Sequence, residues 1–182
     1  MGEPRSRRIE LRRCFGKFTT GVTIVTTRRS DGDPHGVTVN SFTSVSIDPP
    51  LILFSLDRRA RSCEHFADGG FVVNILTEDQ LGLARHFAGQ SVPGLTVAWT
   101  ELDGQPVIAD CAAYLTCRPW AIHEGGDHLV YIGQIERAEN CGLRPLVFHA
   151  GEFRSLGGRL GELSWDDTLD WSSGSGWSLR PR

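Results

Sequence analysis

The chain has 182 residues, a formal net charge of −3, 40% hydrophobic and 23% charged residues, the composition of one ordinary globular domain. At this length one core buries about 70% of the unfolded surface, so folding needs neither disulfides nor a metal. The small net charge supplies no overall field for nucleic acid, and the longest apolar run, around residues 49–56, falls short of the roughly 20 residues of a membrane helix.

The basic residues comprise 18 arginines and one lysine, Lys17, a bias that fits a GC-rich coding sequence. Arg5, Arg7, Arg8, Arg12, Arg13 and Lys17 cluster near the start, interrupted by Glu3 and Glu10; this pattern reads as a solvated helix face rather than a nucleic-acid arm. Residues 1–18 carry charge throughout and no apolar stretch, the pattern of a chain without an export signal. The five cysteines (Cys14, Cys63, Cys111, Cys117, Cys141) are odd in number and contain no CxxC. They predict reduced thiols in a cytoplasmic protein. Neither an HExxH nor a Cys/His group with zinc spacing occurs.

In chain order, Ile9, Leu11, Cys14, Phe15 and Phe18 recur at helical spacing, predicting a helix that ends by Gly21. Residues 22–27 are β-branched throughout and predict a strand, followed by a turn over 28–34. Residues 36–47 predict a strand kinked near Asn40 and Ser41, and Asp48-Pro49-Pro50 a rigid turn. Residues 51–56 are apolar on both faces and predict a fully buried strand. A polar loop over 57–61 then leads into a short helix over 62–67 with Ser62 at its N-cap. Residues 71–76 predict a strand, and Thr77 with Gln80 a capping box opening a helix to about Phe87. Strands follow at 96–101, 112–123 and 128–140, the last two joined at Gly125-Gly126-Asp127, and a closing hairpin at 146–149 and 152–155 turns on Ala150 and Gly151. Strands follow one another too closely for βαβ crossovers, so the predicted fold is mainly β, an antiparallel barrel or sandwich with peripheral short helices. From Gly157 the composition shifts to Ser, Gly and Asp with Trp165, Trp171 and Trp177; residues 1–156 read as the domain and 157–182 as a poorly structured tail.

No GxGxxG, P-loop or GxSxG is present. Two segments stand out instead. Residues 36–46, Gly-Val-Thr-Val-Asn-Ser-Phe-Thr-Ser-Val-Ser, offer hydroxyls and backbone N–H groups with little bulk. They suit the rim of a flat polar ring, and equally an ordinary surface strand. Residues 55–62 place two hydroxyls and three arginines where a strand exits into a helix, a setting for phosphate or simply a capped, solvated loop.

Together, residues 18–26, 36–50, 71–75, 83–88, 127–133 and 145–153 resemble, in order and spacing, the flavin reductase family with the FMN-binding split barrel. These are the short-chain reductase components of two-component flavin monooxygenases. The resemblance covers residues 11–156. It implies a Greek-key split β-barrel, a homodimer, FMN or FAD as flavin, NADH or NADPH as hydride donor, and a partner monooxygenase that receives reduced flavin. It involves neither nucleic acid nor membrane. It further implies that Thr38, Val39, Asn40 and Ser41 line the isoalloxazine edge. Ser55, Leu56, Asp57, Arg58, Arg59 and Ser62 would hold the ribityl chain and phosphate. Phe87 would sit near the flavin, Phe148 and Phe153 would wall the pocket, and His128 would contact the nicotinamide as the one catalytic side chain. No protein nucleophile is required, because the cofactors carry the hydride chemistry. Asn40 departs from the Ser or Ala common in the family. The alternatives are a diverged split-barrel flavoprotein acting on another substrate and a flavin- or haem-binding module without turnover.

Overall fold

The computed structural model describes residues 5–67, 69–158 and 160. The chain opens with helix α1 (Arg5–Phe15), which stops before Gly16 rather than at the predicted Gly21. Gly16 ends it because the turn at Ala150 and Gly151 packs there: a Cβ on Gly16 would lie 3.3 Å from the Ala150 Cα. After β1 (Thr20–Gly21) come β2 (Thr23–Arg28), β3 (Pro34–Val39), β4 (Thr43–Ile47) and β5 (Pro50–Asp57). A 3₁₀ helix (Arg61–His65) leads to β6 (Phe71–Ile75). A second 3₁₀ turn (Glu78–Gln80) runs into α2 (Leu81–Phe87), opened by the predicted capping box: the Thr77 N–H donates to Gln80 Oε1 at 3.0 Å. The rest is a hairpin of β7 (Trp99–Leu102) and β8 (Gln105–Ile108), the long hairpin of β9 (Ala113–Gly125) and β10 (His128–Asn140), and the closing hairpin of β11 (Leu146–His149) and β12 (Glu152–Ser155). The sequence reading missed β8, although Asp103 and Gly104, with φ of 51° and 77°, form the Asp-Gly turn that marks a hairpin.

Seven strands form one antiparallel sheet in the order β3-β2-β6-β9-β10-β5-β4. Its two edge strands, β3 and β4, are consecutive in sequence and joined only by residues 40–42. Laid flat, seven strands would hold those edges about 29 Å apart, whereas the connection reaches only about 14 Å. The sheet therefore curls into a split β-barrel, with the β3–β4 link as its seam. What reads in sequence as one kinked strand is in fact the two opposite edges of the sheet.

One core cluster contains Val25, Ile52, Phe54, Phe71, Val73 and Tyr131, with Phe54 stacked on Tyr131 at 5.0 Å. Gly133 lies against it at a bulge, where a Cβ would fall 2.4 Å from the Phe71 ring. A second cluster, including Val22, Ile24, Leu76, Ala84, Ile108 and Leu146, packs α2, β8 and β11 on the same strands. The strands buried on both faces are thus β2 and β6. In β5 burial alternates: Ile52, Phe54 and Leu56 point inward, whereas Leu51, Leu53, Ser55 and Asp57 are only half-buried, because no element among the described residues covers their face. Asn74, fully buried, joins the layers. Its amide donates to Ile24 O and Thr26 Oγ1, and its carbonyl accepts the Ile108 N–H at 3.0 Å.

Among the described residues no helix is long and apolar enough to cross a membrane, and no cluster of three or more metal-ligating side chains occurs. From residue 161 on, the predicted tail lies outside the described residues.

Candidate functional site along the barrel seam

The seam brings two of the singled-out segments together. Ser41 Oγ accepts the Ser55 N–H at 2.9 Å and donates to Ser55 O at 3.0 Å. One hydroxyl thus stands in for a strand partner where β3 leaves the sheet. Two residues further along β5, Asp57 faces His128 across the β5–β10 ladder, and the Arg58 N–H donates to Asp127 O at 3.0 Å. Residues 38–41, 55–58 and 128 are therefore neighbours at one end of the barrel.

Beside the seam a pocket of about 160 Å³ is lined by Val22, Thr38, Val39, Asn40, Phe148 and Phe153, together with Ala88. The two phenyl rings meet edge to face at 5.3 Å and form an apolar wall. The Thr38 hydroxyl is committed to Ala84 O at 2.9 Å, which fixes α2 against β3. Asn40 is exposed, and its carboxamide has no partner among the described residues. Phe87 does not line this pocket; its ring lies over Gly36, where a Cβ would approach to 2.9 Å, and meets Trp99 at 5.9 Å. Sequence reasoning missed Val22 and Ala88, since an apolar residue at a strand or helix end carries no local mark of lining a cavity. A larger cavity, about 550 Å³, sits by Glu78, Asp110 and Arg144 and is lined by none of the site residues that the resemblance implied.

At the strand exit the side chains are largely spoken for. Ser62 is inside the 3₁₀ helix rather than at its cap, which is Ala60, and its hydroxyl pairs with His35 Nε2 at 2.9 Å. Arg59 forks onto Asp57 at 2.6 and 2.9 Å, and this hydrogen bonding holds the Asp57 carboxyl well below the usual carboxylate range. Leu56 is turned into the core. The cations left uncommitted are Arg58, whose closest carboxylate is Glu124 at 3.8 Å, and Arg61, exposed and without an ion pair among the described residues. Arg61 is one of the three arginines counted over residues 55–62, but it is not among those that the resemblance assigned to the phosphate. His128 is partly exposed, with Nδ1 2.7 Å from Asp127 Oδ1, a contact that orients the ring and lowers the Asp127 pKa.

Comparison with known proteins gives this arrangement its context. A family model described as flavin reductase like domain matches residues 15–157. An NADH-dependent flavin reductase of a Rhodococcus species is 38% identical over 157 residues, covering 85% of this chain and 89% of the relative. The flavin-dependent monooxygenase reductase subunit HsaB of Mycobacterium tuberculosis is 35% identical over 151 residues, covering 80% of each chain. Among solved structures, the Streptomyces globisporus NADH:FAD oxidoreductase SgcE6, in complex with NAD and FAD fragments, superposes with a TM-score of 0.79 at 37% identity, covering 88% of this chain and 99% of that one. With a family model that spans the whole barrel from the end of α1 past β12, the chain belongs to the flavin reductase like domain family.

Proposed function

We propose that this protein is an NAD(P)H-dependent flavin reductase that binds FMN or FAD along the barrel seam and supplies reduced flavin to a partner monooxygenase. The observation that carries the site is the aromatic-walled pocket opening beside a strand exit with uncommitted arginines. The residues present fit a flavin: a floor of Val22, Val39 and Ala88 and a wall of Phe148 and Phe153 suit a planar ring, and the exposed Asn40 carboxamide offers its polar rim both a donor and an acceptor. When bound, a flavin supplies hydride and electron acceptance from a reduced nicotinamide. The chain's own part is orientation. Donors at the ring edge stabilise negative charge gained there, Arg58 and Arg61 hold phosphate, the phenyl wall excludes water, and His128, oriented by Asp127, contacts the nicotinamide.

The protein also forms a homodimer. Leu51, Leu53, Val130 and Ile132 make a half-buried apolar strip on the outer face of β5 and β10. It continues into Ser55, Asp57 and His128, so a second copy covering it borders the site. A cytoplasmic setting accords with five cysteines that are all free.

The test is steady-state oxidation of NADH and NADPH with FMN, FAD and riboflavin in turn. The expected outcome is flavin-dependent turnover, with Arg58→Ala weakening FMN roughly 10- to 100-fold through loss of a charge-assisted contact and riboflavin hardly at all. Absence of flavin-dependent oxidation overturns the reading, and equal losses for FMN and riboflavin remove Arg58 from the phosphate site.

A further inference from the structure

Helix α1 leaves its apolar side chains exposed. None of its residues is buried, and Ile9, Leu11 and Phe15 are 44%, 40% and 69% exposed. An 11-residue helix is marginal in water by itself. Here the first turn carries arginines and no acid, the unfavourable sign for the helix dipole. Its C-terminal end is fixed where the Ala150 N–H donates to Gly16 O at 2.8 Å. Between that end and the β11–β12 turn runs a groove of about 460 Å³, lined by Ile9, Arg12, Arg13, Lys17, Ala150 and Gly151. Among the described residues no carboxylate pairs with Arg12, Arg13 or Lys17. The groove has an apolar floor and a cationic rim.

The complementary chemistry is in the same chain. Residues 162–171 read Glu-Leu-Ser-Trp-Asp-Asp-Thr-Leu-Asp-Trp, with four carboxylates, no base and four large apolar side chains. Reach is ample. β12 runs from Glu152, beside the turn that touches Gly16, to Ser155, so a return to the groove covers about 13 Å. The ten steps from Ser155 to Trp165 span up to about 33 Å.

We propose that the C-terminal segment 162–171 folds back onto α1 of its own chain, seating Trp165 in the groove on Ile9 with Asp166 and Asp167 against Arg12, Arg13 and Lys17. The contact buries the helix's exposed apolar side chains and neutralises its cations. This interaction is independent of the flavin site.

The single lysine makes the test direct. Lys17 is the only lysine, so carbodiimide coupling of the full-length protein joins its amine to whichever carboxylate lies against it, and tryptic mapping identifies the partner. The expected product links the Lys17 peptide to the peptide beyond Arg159, in material migrating as one chain. Its yield falls as salt is raised from about 0.05 to about 0.5 M. Arg12→Glu with Arg13→Glu lowers the yield about five-fold, and an unchanged far-UV circular dichroism spectrum of that variant separates lost attraction from lost folding. Lys17 coupled solely to carboxylates of the barrel overturns the proposal. So does the same linkage found only between two chains, which makes a second copy the occupant.

Discussion

Ser41 shows how one hydroxyl serves fold and site together. Its two bonds to the Ser55 backbone close the barrel at the point where the pocket opens, so the hydroxyl is spent on the seam and not offered to a ligand. Ser41→Ala leaves a half-buried N–H and C=O without partners, and the expected cost is about 1–3 kcal/mol, read as a lower urea midpoint at unchanged slope; Ser41→Thr, which keeps the hydroxyl, recovers most of it. His128 answers to a different measurement. Its ring hydrogen-bonds to Asp127 and sits at the mouth of the site, so His128→Ala raises the KM for NADH about two- to ten-fold, the worth of one hydrogen bond, and leaves flavin affinity unchanged. A collapse of flavin affinity instead assigns His128 to the flavin.

At the scale of elements, the 3₁₀ helix Arg61–His65 is held to β3 by the Ser62–His35 bond and by the rings of His35 and His65, 4.5 Å apart. Burial, then the nearby charges of His65 and Arg29, push the His35 pKa below its ordinary 6.5, with Glu64 opposing. A base with a depressed folded pKa takes up its proton more readily in the unfolded chain. Its contribution to stability is therefore intact above 6.5 and is lost as pH falls from there toward the folded value. The expected outcome is a Tm that drops between about pH 7 and about pH 5.5, with a shallower drop in His35→Gln, which keeps a hydrogen-bonding group but does not titrate. An identical pH profile in the variant shows that the acid sensitivity arises elsewhere.

For the whole molecule the informative surface is the outer face of β5 and β10. The inward face of β5 is packed with Ile52, Phe54 and Leu56, while Leu51 and Leu53 face outward beside Val130 and Ile132. Apolar strips of this kind mark interaction surfaces. Light scattering at micromolar concentration is expected to give about twice 20.1 kDa, and Leu53→Lys with Ile132→Lys to give monomers with reduced flavin affinity, since the strip adjoins Ser55, Asp57 and His128. A monomeric wild-type chain that turns over flavin at the full rate rules out the dimer as part of the site.

Much of this architecture is written locally. Period-two alternation and β-branched runs mark nearly every strand, Ala150-Gly151 and Gly126-Asp127 mark two hairpins, and Thr77 with Gln80 marks the start of a helix; each depends on residues within a few positions of one another. The run of small hydroxyl residues over 36–46 stands out in the sequence, but as one kinked strand; the tertiary structure makes its middle the seam. The partners of its side chains are not marked in the sequence. Ser62 pairs with His35 across 27 positions and Thr38 with Ala84 across 46. Phe87 turns from the pocket onto Gly36, and β3 and β4 part to opposite edges of the sheet. Burial on both faces falls to β2 and β6 rather than β5, because it depends on which layer lands on a strand and not on the strand's own composition. The sequence by itself determined a mainly β chain with these turns and these polar segments. Only the tertiary structure decided which hydroxyls and arginines remained uncommitted, because hydrogen-bond partners and covering layers come from parts of the chain that local periodicity does not connect.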